Sequence, residues 1–239
     1  MKGSYRRLLP VYIVIILLFI SAGFFTDRTV RVVSQNIAQS DRPCVIIDAG
    51  HGGEDGGATS CTGVLESKLN LDIASRLNDL MHLLGYDTLM IRQTDRSIYT
   101  QGGSLSQKKI SDLKERVKIV NETPNAVLVS IHQNQFSDSR YSGAQVFYAK
   151  NEESQKLANE MQLALVKNLK PDSNRKSKQA SGIYLMEHIQ TPGILIECGF
   201  LSNPEEEALL ISDAYQKKLC LVIGSTCSRN LPNICLETS

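Results

Sequence analysis

The sequence predicts an α/β domain with a twisted, mostly parallel or mixed central sheet flanked by helices on both faces. Two observations carry that prediction. Short, almost wholly apolar runs at residues 44–49, 126–132 and 193–198 have the composition of strands buried on both sides. Between them lie longer stretches whose apolar residues recur every three or four positions, the period of a helix with one buried face. Strands alternating with helices in this way build a sheet covered on both sides.

The first strand, CVIIDA at residues 44–49, runs into a loop containing Gly50, Gly52, Gly53, Gly56 and Gly57. So many glycines give a loop too flexible to persist unless its backbone folds closely around something, such as an ion or an anionic ligand. Residues 66–84 follow as a helix, with Leu69, Ile73, Leu77, Leu80 and Leu84 on one face and Gly85 as its stop. Residues 87–91 form a second strand. Ile110, Leu113, Val117 and Val120 mark a second helix closed near Pro124, after which AVLVSIH (126–132) is a third strand and GAQVFY (143–148) a fourth. A third helix spans 152–169, with Leu157, Met161, Leu165 and Leu169 inward and Pro171 as its stop. Residues 183–186 read as a short strand, and GILIEC (193–198) as a buried one. Asn203, Pro204 and the three glutamates behind them start another helix: Asn at the cap, Pro at the first helical position, carboxylates at the positive end of the dipole. A last helix runs from Ala214 to about Cys227. Residues 94–107 and 172–181 are loop-rich.

With 239 residues and 42% hydrophobic content, the chain can bury one core. A single domain of roughly 180 to 200 residues is the expectation. A formal charge of +1 supplies no basic stripe for nucleic acid and no acidic tail. Trp is absent and aromatics are only 6%, which argues against a lectin-like platform of stacked rings. Lys2, Arg6 and Arg7 precede the uncharged run at 8–25. That run is near the lower limit for a transmembrane helix, longer than the usual apolar core of a signal peptide, and lacks a clear small-x-small cleavage site. Residues 1–25 are therefore predicted to be a signal anchor in preference to a cleaved signal peptide, with the N-terminus in the cytosol and the rest outside. A polar linker at 26–42 and a folded domain at 43–239 complete the layout.

The six cysteines do not make a disulfide framework by their spacing, because none forms a C-x-x-C pair. Cys44 and Cys198 sit in strand-like runs where a thiol serves as a small hydrophobe. A bridge among Cys220, Cys227 and Cys235 is compatible with an exported domain.

Sites in open α/β sheets form outside the carboxyl ends of the strands. His51 follows the first strand, His132 ends the third, and Glu197 lies at the end of GILIEC. Glu66 opens the helix that returns from the glycine loop. Two histidines with one or two glutamates match the ligand set of a catalytic Zn2+ site, in which three protein ligands leave a position for water and a spare glutamate takes the water proton. Taken singly, each has a structural role available: polar strand ends, a carboxylate at a helix start, half of an ion pair. Four at one rim favour chemistry. His82 falls on the polar face of its helix, and His188 is a structural or rim residue.

The segments Asp48-Ala49-Gly50-His51-Gly52-Gly53, Ser130-Ile131-His132-Gln133-Asn134 and Ile196-Glu197-Cys198-Gly199-Phe200-Leu201-Ser202-Asn203, with Glu66 opening a helix, resemble the signature blocks of the zinc-dependent N-acetylmuramoyl-L-alanine amidases of bacterial cell walls. The similarity extends over about residues 44–229 and includes Ile91-Arg92-Gln93-Thr94-Asp95 and Leu113-Lys114-Glu115-Arg116-Val117. The resemblance implies that His51, Glu66 and His132 bind Zn2+ and that Glu197 is the catalytic carboxylate. It implies a peptidoglycan substrate, cleaved between the lactyl group of muramic acid and L-alanine. It also suggests Asp48 as the orienter of a ligand histidine, and Asn134 or Leu201 as contacts of the peptide.

Some relatives carry a long helical plug between the second histidine and the catalytic glutamate, but residues 133–142 are too short to form one. The anchored form without wall-binding repeats looks most like amidases that modify spore-cortex peptidoglycan, acting outside the cytoplasm, even between forespore and mother cell. With nothing in cis covering the site, control falls to the anchor, metal supply or an accessory protein. The competing readings are another zinc hydrolase, a peptidase or deacetylase, and a non-enzymatic binding domain with a structural zinc. The last would need a fourth protein ligand, and Cys198 should face away from Glu197 because side chains alternate along a strand.

Overall fold

A computed structural model describes residues 43–236, with side chains to residue 231. The expected anchor and linker at 1–42 lie outside the described residues. Among the described residues no helix is long and apolar enough to cross a membrane.

Among the described residues six strands and six helices follow one another, alternating except at β3–β4 and α5–α6: β1 (Cys44–Ala49), α1 (Glu66–Leu83), β2 (Thr88–Met90), α2 (Leu105–Glu122), β3 (Ala126–Asn134), β4 (Gln145–Tyr148), α3 (Glu152–Leu169), β5 (Lys178–Gln179), α4 (Tyr184–His188), β6 (Gly193–Phe200), α5 (Pro204–Ile211) and α6 (Asp213–Leu236). The sheet order is β2-β1-β3-β6-β4-β5. The first four of these run parallel, whereas β4 pairs antiparallel with β6 and carries β5 parallel to itself. The sheet is therefore mixed. The chain leaves β1 for β2 on one side and comes back to β3 on the other, so the crevice between the carboxyl ends of β1 and β3 is the topological switch point where such sheets bind ligands.

Alternating side chains divide the interior into two layers. On one face Val45, Ile47, Val129, Ile131, Ile194 and Ile196 pack with Leu69, Ile73 and Leu77 of α1, Leu157 and Met161 of α3 and Ile223 of α6. On the other, Ile46, Leu128 and Leu195 meet Val120 of α2 and Leu185 and Met186 of α4. Asp48, Ser130, His132 and Glu197 continue the sequence positions of this second face towards the strand ends.

Three expectations are corrected. Residues 184–186 belong to a helix, α4, with Ile183 as its N-cap, and not to a strand: a four-residue apolar run fits either, and Glu187 accepts from Gly182 N at 2.6 Å, satisfying a donor at the helix start. In α2 the expected apolar face is met in part, Val120 being buried and Val117 packed against the core, but Ile110 is exposed and the polar residues Ser111, Asp112 and Arg116 are buried beside them. Of the three cysteines expected to form a bridge, Cys220 and Cys227 are free thiols and the side chain of Cys235 lies outside the described residues; burial pushes the first two up to about 12, which keeps them protonated and inert. The strand β5, two exposed polar residues in an expected loop, had no periodicity to announce it.

Candidate metal centre

Gly50 N donates to Ile131 O at 3.0 Å, which extends the β1–β3 pairing past the end of β1 and lays the glycine loop beside the end of β3. At that point His51 takes a left-handed backbone, φ 60°. Its carbonyl accepts from Arg116 Nη2 at 2.8 Å. The loop then curls back so that Ala58 O accepts from Glu66 N and Gly56 O from Ser67 N, satisfying two orphan donors at the start of α1. This fold-back brings Glu66 under His51.

The expected ligands do come together. His51 Nε2 lies 3.3 Å from Glu66 Oε2, and His132 Nδ1 lies 3.1 Å from Glu66 Oε1. The two rings meet edge to face, with centroids 5.0 Å apart. The three donor atoms all lie within 4.8 Å of one another, a group able to hold a metal ion. Gln133 N and Asn70 Nδ2 donate to Glu66 Oε1, and Ala58 N donates to Oε2. Burial alone would raise the Glu66 carboxyl, but its bonds to His132 and His51 outweigh that and hold it far below the usual carboxylate range.

His51 Nδ1 faces Asp55 Oδ2 at 2.9 Å, leaving Nε2 turned to Glu66. A carboxylate behind a histidine is the usual support of a metal ligand, because it fixes the tautomer and raises basicity. Burial would lower the imidazole, yet Asp55 and Glu66 push it up to about 9.

Glu197 pairs in register with His132 across β3 and β6, and the register shifts just beyond that pair. A bulge at that position re-aims the side chains at the strand ends. Glu197 Oε2 is sealed from solvent and has no hydrogen-bond partner among the described residues. Burial raises its carboxyl, His132 opposes the rise, Glu66 adds to it and His51 subtracts, for a balance of about 7. Cys198 is buried in the core cluster of the opposite face and offers no fourth donor.

The group fits a zinc ion on its own chemistry: two imidazoles and one carboxylate converge, and a further carboxylate beside them keeps one buried oxygen unpaired.

The other expected site residues behave differently. Asp48 touches neither histidine ring. It binds Arg116 Nη1 and accepts from Ser130 Oγ at 2.6 Å, so it acts on the His51 backbone through Arg116. Leu201 is wholly buried in the core and so does not reach a peptide, while its N–H donates to Asn134 O. His82 is exposed against Thr88, and His188 stacks on Tyr184, away from the metal group. Asp55, Arg92 and Arg116 were not anticipated. Arg92 donates to the carbonyls of Ala49, Gly50, Ser67 and Thr94 and so binds both ends of the ligand loop. The only advance signal was that both arginines sit within blocks similar to the family's.

Fold and site define a class: an α/β protein in which two histidines and a glutamate converge, with a second glutamate beside them, at the carboxyl ends of its parallel strands. The chain belongs to the N-acetylmuramoyl-L-alanine amidase family, whose sequence profile matches residues 45–225. It is 40% identical over 177 residues to the germination-specific N-acetylmuramoyl-L-alanine amidase of Bacillus subtilis strain 168, covering 73% of this chain and 74% of that one. Among solved structures, the CwlD amidase of Clostridioides difficile in complex with the GerS lipoprotein superposes with a TM-score of 0.76 at 35% identity, over 80% of this chain and 99% of that one. An N-acetylmuramoyl-L-alanine amidase of Clostridium difficile 630 does so with a TM-score of 0.70 at 31% identity, over 81% and 98%. The chain is accordingly an enzyme, an amidase of peptidoglycan.

Proposed function

We propose that this amidase is zinc-dependent and acts on spore-cortex peptidoglycan, with His51, Glu66 and His132 holding Zn2+ and Glu197 as the catalytic carboxylate. The observation that carries the reading is the pairing of the converged donor group with a neighbouring carboxylate that has one buried oxygen free. When bound there, zinc supplies Lewis-acid chemistry, lowering the pKa of a water and polarising the amide carbonyl. Glu66 is held in place by the hydrogen bonds it accepts from Ala58, Gln133 and Asn70, and His51 by the bond its Nδ1 donates to Asp55. Glu197 receives the water proton and returns it to the departing alanine nitrogen. A pKa near 7 suits a group that must accept and release one proton in each turnover.

The relatives' names supply the setting. One is germination-specific, which supports action on the spore cortex, outside the cytoplasm. Another is solved with a lipoprotein, which supports an accessory protein for this chain as well. Residues 1–25 are proposed as the membrane tether, residues 26–42 as the linker and residues 43–239 as the catalytic domain.

The test is Glu197→Ala. Zinc content should stay at the wild-type level while release of stem peptides from peptidoglycan, followed by mass spectrometry, falls by about 10²- to 10⁴-fold. Shortened stems or free amino sugars in the wild-type digest would point instead to a peptidase or a deacetylase.

A further inference from the structure

Beside Glu197, on the β4 side of the sheet, lies a cleft of about 610 Å³ whose charge no part of the hydrolytic chemistry uses. Arg140, Lys170, Arg175, Lys176 and Lys178 line it against a single acidic residue, Asp172. In a chain of net charge +1 this concentration is local, and a lined concavity of one sign raises the local concentration of ligands of the other. Arg140 is already paired with Asp138, and Lys170 lies 3.9 Å from Asp172. Arg175, Lys176 and Lys178 have no carboxylate partner among the described residues. Arg175 is fixed in place all the same: Nε donates to Ser142 O at 2.9 Å, Nη1 to Gln145 Oε1 at 3.4 Å, and its guanidinium lies 5.0 Å from the centroid of the Phe200 ring.

The topology connects this cleft to the reacting bond. Gln145, in the cleft wall, is the register partner of Glu197 on the adjacent strand. Lys178 stands on β5, one strand further out, opposite Phe147. At a strand spacing of about 4.8 Å and a rise of about 3.4 Å per residue, Gln145, to which Arg175 is bonded, stands roughly 5 Å from Glu197, and Lys178, two strands out and two residues along, stands roughly 12 Å away. An extended peptide advances about 3.3 to 3.6 Å per residue, so that interval is two to three residues long.

An amidase substrate carries its negative charge on one side only. The one carboxyl of muramic acid is the acyl half of the scissile amide, which leaves the N-acetylated glycan neutral and the peptide's carboxylates anionic. We propose that the cleft of Arg175, Lys176 and Lys178 is the subsite for a carboxylate of the leaving peptide, two to three residues beyond the scissile amide. This rests on the amidase reading above and adds to it a determinant of which peptides are cleaved.

The experiment uses the full chain, loaded with zinc, on N-acetylmuramoyl-tripeptides with free carboxylates and on the same compounds with every carboxylate converted to a primary amide. A parallel titration calorimetry arm measures binding of the two free tripeptides, which requires no bond cleavage. The variant joins Lys176→Glu to Lys178→Glu, both at exposed positions, with the double Lys→Arg exchange as the conservative control. The expected result is about a tenfold rise in KM and in the tripeptide dissociation constant for the double glutamate variant on carboxylate-bearing compounds. On that substrate kcat should hold, and the arginine control should behave like wild type. The amidated compounds should be weak for wild type and unaffected by the glutamate exchange. Equal handling of the two substrates by wild type, or no change in the glutamate variant, overturns the subsite. Peptide binding that depends on the carboxylates and lysines, with neither compound hydrolysed, sinks the amidase reading and leaves the subsite standing.

Discussion

At the scale of single residues, the geometry of the donor group depends on what is missing from two glycines. A methyl group on Gly50 would come within 2.2 Å of the His132 ring, and one on Gly57 within 2.6 Å of Glu66 Oε2 and 2.8 Å of His51 Cδ2. Gly57 also has φ 68°, a conformation that costs a residue with a Cβ about 1 kcal/mol or more. At Gly50 and Gly57 the loop needs glycine because it lies flat against the side chains of His132, Glu66 and His51. Gly50→Ala and Gly57→Ala should each displace a ligand side chain and cost about 1–3 kcal/mol through overpacking. The expected readout is zinc content that falls to a small fraction of wild type while far-UV circular dichroism is preserved. Wild-type zinc content in both variants would show that the close approach is incidental. His51, Glu66, His132 and Glu197 were legible in the sequence because each stands where an apolar run stops or a helix starts, and position relative to a sheet can be read from such breaks. Asp55 was not, since its value lies in a ring nitrogen that the loop's turn brings to it. Nor was Arg116, whose partners Asp48 and Asp112 are distant or on a face assigned to solvent.

At the scale of elements, α2 shows what apolar periodicity alone leaves out. Ile110, Leu113, Val117 and Val120 have helical spacing, and Val120 and Val117 do pack inward, yet the helix also buries Ser111, Asp112 and Arg116, because the end of β1 presents Asp48 and the carbonyls of Ala49 and His51 in place of an apolar surface. The helix is docked by a buried ionic network, and breaking such a network costs more than forming it gains, since one charge is left stranded. Arg116→Met should destabilise the protein by about 3–5 kcal/mol in urea titrations at pH 7. The pH dependence follows from Asp48. Burial would raise its carboxyl, but the Arg116 charge, then His132 and the bonds from Ser130 and Arg116, hold it below the usual range. A group with a lowered folded pKa contributes stability that is complete above its unfolded value, about 3.9, and is lost as pH falls through the folded value. Wild type should therefore lose stability below about pH 4. The pair Asp48→Asn with Arg116→Met should lose less over the same interval, measured by urea midpoints at stepped pH. An unchanged acid limb in the double variant would assign acid sensitivity to other carboxylates.

At the scale of the whole molecule, the question is whether the ion holds the fold together or only works within it. Both apolar layers are built from strand and helix side chains that do not touch the donor group, and α1, α3 and α6 close one face without it. The cation-free group is itself nearly satisfied. Glu66 accepts from three backbone or amide donors besides the two histidines, while Glu197 Oε2, with Gln133 Oε1 and Ser67 Oγ nearby, has no partner among the described residues. A site of this kind differs from a zinc finger, in which the binding free energy is the folding free energy. The chelated protein should therefore remain folded and melt cooperatively, with hydrolysis lost. Restoring zinc at about 100 times its dissociation constant adds about 2.7 kcal/mol by mass action. For a domain of this size that is a rise in Tm of roughly 5 to 11 °C. Differential scanning calorimetry with and without zinc, alongside hydrolysis measured on the same samples, checks both parts. A chelated chain with no cooperative transition at 25 °C would make the ion structural. A chelated chain with full activity would remove it from the chemistry altogether.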